Sequence, residues 1–319
     1  MREIVVETER ERYTGGETVV GRCIVRLDEP LPVRGVRLRL QGFEHSSWSE
    51  GSGKSRHTHS ETAYFFNEEL TLFGRPALAA GELIADALKG LFSRDGYETL
   101  RAGEHAFDFS YPLPADLPPD FESEGSSRIA YEITAYVDVP LRLDLSAQLR
   151  LGMRGNRPVP EPQPVVRESS KTFLLDSSGP MSLRVGLERD VFRPGEHLRG
   201  AAELTNNSGK QVRWVNFTLQ RTTQLTAGSA STSRTLNVDT AVFGPPEAAR
   251  GRPVLVPLDF DLPGDLYPTI AGTRLVRVSY QVIVNLDVPW AIDLAVSLPL
   301  TVAEPEEAPP PPGGGQEEA

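Results

Sequence analysis

Two stretches of this chain carry the same landmarks at a constant spacing, and that repetition limits the fold more than any single motif. Gly16-Glu17 followed by Gly21 returns as Gly195-Glu196 followed by Gly200, both offset by 179 residues. Leu113-Pro114, Tyr131 and Asp138-Val139-Pro140 return as Leu262-Pro263, Tyr280 and Asp287-Val288-Pro289, all offset by 149 residues. An offset that holds, drops once by 30 residues and holds again describes two homologous halves, with the extra length in the middle of the first. Long-period self-similarity of this kind sets domain organisation before any local assignment. Between the halves lies the stretch 157–167, RPVPEPQPVVR, with four prolines in eleven residues. Each ring fixes φ and removes a backbone donor, so the stretch reads as a short, stiff, extended connector. The expected division is a first domain over 1–156, a linker over 157–170, a second domain over 171–303 and a tail over 304–319.

Composition agrees. A chain of 319 residues suits two domains of about 150 residues each. The formal net charge of −11 weighs against nucleic acid as the main partner, because phosphate binding needs a basic surface. Cys23 is the only cysteine, which excludes an intrachain disulfide and suits a reducing compartment. The start of the chain, MREIVVETERERY, has no long apolar core and does not read as a signal peptide. No run approaches the length of a membrane span. The expected location is the cytoplasm.

The dominant period is two. In 19–27, Val19, Gly21, Cys23, Val25 and Leu27 share one face, and Val20, Arg22, Ile24 and Arg26 share the other. The stretches 36–42, 129–139, 141–151, 183–187, 197–205, 212–219, 274–288 and 292–302 alternate likewise, as half-buried antiparallel strands do. Turn signals such as Thr14-Gly15-Gly16 and Arg193-Pro194-Gly195 separate them. Many short strands at this spacing predict an all-β protein of two immunoglobulin-like sandwiches in tandem. One stretch, 76–92, breaks the period. Its apolar residues fall at helical spacing, with Pro76 in the first turn, so an amphipathic helix packed on the first sandwich is expected there. The tail from 304 is proline-rich and acidic, a composition that does not build a core.

These pieces, taken in order, resemble the arrestin family. Tyr13 with Gly15-Gly16-Glu17, Val33-Arg34-Gly35-Val36 leading into Leu38, Leu40 and Gly42, and Trp48 in a polar loop are similar to the arrestin-domain-containing (α-arrestin) branch. So are Tyr64-Phe65, Leu72 with Gly74, the stretch 103–109, Leu113-Pro114, Leu117-Pro118 and the stretch 131–135. Pro162-Gln163-Pro164, the stretch 171–175, Val191 ahead of Gly195-Glu196, Thr205-Asn206-Asn207-Ser208 and Val278-Ser279-Tyr280 are closer to the visual and β-arrestins. A prokaryotic arrestin-like protein would fit the same pieces. The resemblance implies two sandwiches joined end to end and a non-enzymatic cytoplasmic adaptor or scaffold in signalling. Such a protein binds partner proteins, including the cytoplasmic tails of membrane proteins, through sheet faces and crest loops. The stretch 44–61 takes the place of the family's finger loop, and Arg150 falls beside the place of its polar-core arginine. Two features depart from the pattern. Pro309 to Pro312 run into Gly313 with no Pro-Pro-x-Tyr, and 239–253 shows no acid-supplying lariat loop.

Candidate contact residues follow from residue chemistry. Arg10 and Arg12 fall near the end of the first strand, Arg22, Arg26, Arg37 and Arg39 would form basic stripes on two neighbouring strands, and arginine forks grip carboxylate or phosphate well. By the resemblance, Arg10 lies near a basic position that contacts phosphorylated tails. An acidic or phosphorylated peptide is the partner these residues suit, although exposed strand faces also carry charge without function. Trp48 and Phe66 are aromatic contact candidates beside the polar loop, with Tyr64 expected to pack inside the sandwich. His45, His57 and His59 with Glu44 and Glu61 are the right residue types for a metal, at a spacing that matches no compact zinc signature. The simpler reading of those histidines is a solvated loop. Gly51-Ser52-Gly53-Lys54-Ser55 lacks the earlier glycine, strand and helix of a phosphate loop. Cys23 sits on an apolar strand face, as a structural thiol does. No cofactor, metal or catalytic residue is expected. Two other readings remain open: a sandwich that binds a small ligand or carbohydrate, which needs a deep apolar cleft, and a metal-dependent enzyme using residues 45–61.

Overall fold

The computed structural model describes residues 2–75, 97–123, 125–140, 145–173, 178–244, 251–291 and 293–305. The helix expected over 76–92 and most of the tail lie outside the described residues. The chain forms two compact units. The first contains Met1–Pro158 together with Gln224–Thr232 and Gly272–Arg277; the second contains Val159–Thr223, Ser233–Ala271 and Val278–Ala319.

Strands of the first unit are β1 (Arg2–Thr8), β2 (Arg12–Thr14), β3 (Thr18–Leu27), β4 (Leu31–Val33), β5 (Gly35–Glu50), β6 (His57–Gly74), β7 (Glu98–Leu100), β8 (Gly103–Pro112), β9 (Phe121–Glu122), β10 (Arg128–Asp138) and β11 (Leu145–Arg154). They make one sheet in the order β1-β3-β8 and a second in the order β2-β11-β10-β5-β6, with β9 on β10 and a short β4–β7 pair. The inner faces are those the alternation assigns. On β3, Val19, Cys23, Val25 and Leu27 are buried while Arg22 and Arg26 are exposed. On β10, Ile129, Tyr131, Ile133, Ala135 and Val137 fill the core. Burying each large side chain of this kind contributes about 1.5–3 kcal/mol, and β-branched side chains suit the pleat.

The second half of the chain repeats the plan with β12 (Val165–Lys171), β13 (Met181–Leu187), β14 (Val191–Phe192), β15 (His197–Asn206), β16 (Trp214–Ala227), β17 (Ala230–Phe243), β18 (Pro253–Asp261), β19 (Val276–Asp287) and β20 (Leu294–Val302), with 224–232 and 272–277 belonging to the first unit. Its sheets run β12-β13-β15-β18 and β14-β20-β19-β16-β17. Thus the protein is all-β, two sandwiches in tandem.

The repeat noticed in the sequence reappears hydrogen bond by hydrogen bond. Gly16 N–H donates to Pro114 and Gly195 N–H to Pro263; Leu113 N–H donates to Glu17 and Leu262 N–H to Glu196. Both glycines take positive φ, 86° and 77°, which is why glycine stands at this turn twice. The Glu17 carboxylate accepts the Thr14 N–H, and the Glu196 carboxylate accepts the Arg193 N–H. Tyr131 donates its hydroxyl to Pro118 at 2.7 Å and Tyr280 donates to Tyr267 at 2.8 Å. Arg34 pairs with Asp138 as Arg213 pairs with Asp287. Each is the duplicate of the other at the offsets read from the sequence.

The largest departure from expectation lies in 44–61. Instead of a polar loop, the strands β5 and β6 pair antiparallel from Gly35↔Gly74 to Glu50↔His57, leaving a tip over 51–56. The inward residues of the distal half are Glu44, Ser46 and Trp48, all buried. Polar side chains on an inner face conceal the alternation that marks a strand. Their burial is possible where hydrogen bonds replace water.

Candidate protein-binding surface

Residues 49–58 at the end of the β5–β6 hairpin are exposed, apart from Lys54, whose side chain is not described. Gly51 has φ 80°, and a Cβ there would lie 2.4 Å from the Ser55 carbonyl oxygen, so the turn requires glycine. A short 3-10 turn, Gly53–Ser55, closes the tip. Beneath it Trp48 is buried, stacked on His59 with ring centres 4.9 Å apart, and its Nε1–H donates to Glu50 at 2.9 Å. Ser49 and Thr58 share a hydrogen bond across the next rung. The tip therefore stands on a packed, paired stem.

Lower in the same hairpin, two carboxylates bind backbone of the first unit's later segments. Glu44 is 1% exposed. Its Oε1 accepts the Arg274 N–H at 2.8 Å, and its Oε2 accepts the Leu275 and Val276 N–H groups at 2.8 and 3.1 Å. Glu61 accepts the Gly228 N–H at 2.6 Å and pairs with the Arg274 guanidinium. Sequence reasoning placed Glu44 and Glu61 only in a loose histidine cluster. The cluster does not assemble: His45 bonds Thr62, and His59 stacks on Trp48. Among the described residues no group of three metal-ligating side chains is placed to hold an ion.

The arginine stripes are ladders of ion pairs. Arg22 meets Asp108 at 2.6 Å, and Arg26 meets Glu104 at 2.8 Å and Glu3 at 3.0 Å. The Arg22 hydrogen bond, with its charge, holds the Asp108 carboxyl below its ordinary pKa. Arg37, read as part of an open basic face, is only 8% exposed; it lies 3.5 Å from Glu69 and 3.4 Å from Asp138. Arg39 remains half exposed, pairing with Glu69 at 3.4 Å and lying over the Tyr136 ring. Tyr136 donates to Glu69 at 2.6 Å, and burial followed by that hydrogen bond pushes its phenol up to about 12. Arg10 pairs with Glu17 at 2.9 Å and lies over Tyr13; its duplicate Arg189 pairs with Glu196 at 3.0 Å and lies over Phe192. That repetition makes Arg10 part of the shared turn. Arg12 is exposed on β2. Arg150 is half exposed on β11 and pairs with Glu122 of its own unit at 3.2 Å.

Three aromatic residues lie elsewhere than the pattern placed them. Trp48 lies in a strand and is buried, and Phe66 is 8% exposed, packed between Tyr111 and Tyr131. Tyr64, expected inside, is 53% exposed. The cause is a bulge: Gly42 faces Phe66 while Phe43 faces Tyr64, so Phe65 has no opposite residue and the faces change over. Trp290, which the pattern did not single out, is fully exposed at φ 58° after β19. Its place in the turn after Pro289 was the available signal, since a turn residue has no core face to fill. Cys23 is buried, and burial pushes its thiol up to about 11, which makes it a poor nucleophile. Open hollows of about 550 Å³ at Gly21 and about 480 Å³ at Gly200 occupy duplicate positions on the two units.

Comparison with known proteins decides the family. The model of the arrestin (or S-antigen) N-terminal domain matches residues 2–151, and that of the arrestin (or S-antigen) C-terminal domain matches residues 177–307. The chain belongs to the arrestin family. It is 28% identical to arrestin domain-containing protein A of Dictyostelium discoideum, over 95% of this chain and 51% of that protein. It is also 28% identical to arrestin domain-containing protein 4 of Mus musculus, over 91% and 68% of the two chains, and 23% identical to arrestin domain-containing protein 5 of Homo sapiens, over 94% and 86%. The chain spans about half the length of the Dictyostelium relative. Arrestin-family membership supports a protein-binding adaptor or scaffold role in general terms. Among the described residues no helix is long and apolar enough to cross a membrane.

Proposed function

We propose that this arrestin-family chain is a non-enzymatic cytoplasmic adaptor that engages a protein partner with the tip of the β5–β6 hairpin, residues 49–58. Arg12 and Arg39, both exposed on strands of the same sheet, add contacts to an acidic or phosphorylated peptide. The observation that supports this reading is the combination of an exposed tip with a stem fixed by the Trp48–His59 stack and the Glu44 and Glu61 hydrogen bonds. A recognition element already held in shape loses less conformational freedom on binding. A stable complex needs roughly 1,200–2,000 Å² of total buried surface, so the tip would be the centre of a contact that spreads over neighbouring strand faces. Arg37, Trp48 and Phe66 would then act by supporting that surface from beneath.

The test is site-specific photo-cross-linking in cells of the source organism. A photoreactive residue at Ser52 should give discrete cross-linked partner bands, and the same residue at Leu236, exposed on β17, should not. Shortening 51–56 to Asn-Gly, a turn that closes a two-residue hairpin, should abolish those complexes while the melting temperature changes little. Equal cross-linking from both positions, or complexes that survive the shortened tip, would refute the proposal.

A further inference from the structure

Glu44 is a carboxylate with almost no solvent contact, and the donors it meets are backbone N–H groups of three consecutive residues. An ionised carboxylate accepts on both oxygens, and its hydrogen bonds from N–H groups are among the stronger ones in proteins. Successive backbone N–H groups that converge on one point form a concavity suited to an anion. The sandwich does not itself require an acid here. At the duplicate position the second unit has Thr223, which is buried too but neutral. The turn, tyrosine and arginine features of the two halves match; this carboxylate is present only in the first unit, to which residues 274–276 belong.

We propose that the N–H groups of Arg274, Leu275 and Val276 form a carboxylate-binding site whose occupant is the Glu44 side chain. The class of ligand the site takes is therefore a carboxylate. With the side chain cut back to alanine, the three donors are left facing a space that a free formate or acetate ion fills. Glu61, which pairs with Arg274 and accepts the Gly228 N–H, stays in place and keeps the segment near its native position. The inference is independent of where a partner docks.

The experiment uses the full chain and the Glu44→Ala and Glu44→Gln variants. Melting is followed in sodium acetate and in sodium chloride at matched ionic strength, and amide hydrogen exchange is measured over 272–277. Glu44→Ala should melt below the parent, and acetate should raise its midpoint saturably where chloride does not; the parent should respond alike to both salts. In Glu44→Gln, which keeps the volume and can hold Leu275 and Val276 with its single oxygen only by turning its amide N–H toward the Arg274 N–H, exchange at Arg274 should quicken by about tenfold or more. If Glu44→Ala does not fold, Glu44→Gln alone decides. The proposal is overturned if Glu44→Ala melts like the parent, if its loss is indifferent to acetate, or if the Arg274 amide of Glu44→Gln exchanges as slowly as that of the parent.

Discussion

Replacing Tyr131 by alanine should destabilise the first sandwich by about 3–5 kcal/mol, the range for removing a large aromatic from a core, and Tyr280→Ala should do the same to the second. Tyr131 is fully buried, lies against Phe65 and Phe66, and gives its hydroxyl to the Pro118 carbonyl. Tyr280 is 3% exposed and gives its hydroxyl to the Tyr267 carbonyl, the duplicate of Pro118. The phenylalanine variants keep the ring and lose one hydrogen bond, so each should cost only about 1–2 kcal/mol. Urea denaturation of the four variants reads these values; near-equal losses at both positions are the expected outcome, and a large loss at one with none at the other would break the equivalence of the halves. Burial pushes the Tyr131 phenol well above its ordinary pKa and the Tyr280 phenol up to about 12. A raised phenol means that the folded state keeps its proton longer than the unfolded chain does. The stability this represents is complete below about pH 10, the unfolded value, and is lost as the pH rises toward about 12 for Tyr280. Tyr280→Phe should remove that part of the alkaline decline.

Arg37→Ala should cost about 1–3 kcal/mol, the range for leaving buried polar groups short of a partner, because Asp138 keeps Arg34 and Glu69 keeps Arg39. The loss leaves Glu69 and Asp138, 23% and 15% exposed, without the cation between them. Arg39→Ala, two residues along the same strand, should cost under about 1 kcal/mol, because its pair with Glu69 is half in solvent. Chemical denaturation of the two single variants distinguishes them, and equal losses would show that the buried network is not what holds this face. The contrast also governs any binding experiment. A charge reversal at Arg37 confounds folding with recognition, whereas one at Arg39 reads recognition.

Much of the architecture was legible before the structure. Strict alternation in 19–27 placed Cys23 on the apolar face, and two constant offsets gave the tandem repeat down to its turns. The family resemblance, carried by an ordered set of short pieces, agrees with the matched domain models. What the sequence concealed has physical causes. The bulge at Phe65 moves one residue out of register, and a single extra residue reverses the faces of the side chains that follow it, up to a second irregularity at Leu72. Arg22, Arg26 and Arg37 looked like free cations because their acids lie on neighbouring strands, at separations such as 86 residues for Arg22 and Asp108. Glu44 looked like a loop acid because its donors are backbone groups about 230 residues away, and backbone donors leave no mark in residue types.

The most direct test of the adaptor reading is hydrogen-exchange mass spectrometry on the full chain, alone and bound to a partner recovered by cross-linking through Ser52. Slowed exchange concentrated in residues 49–58, with 36–43 unchanged as part of the already protected stem, is the predicted result. An unchanged tip, with new protection confined to the second sandwich, would contradict it.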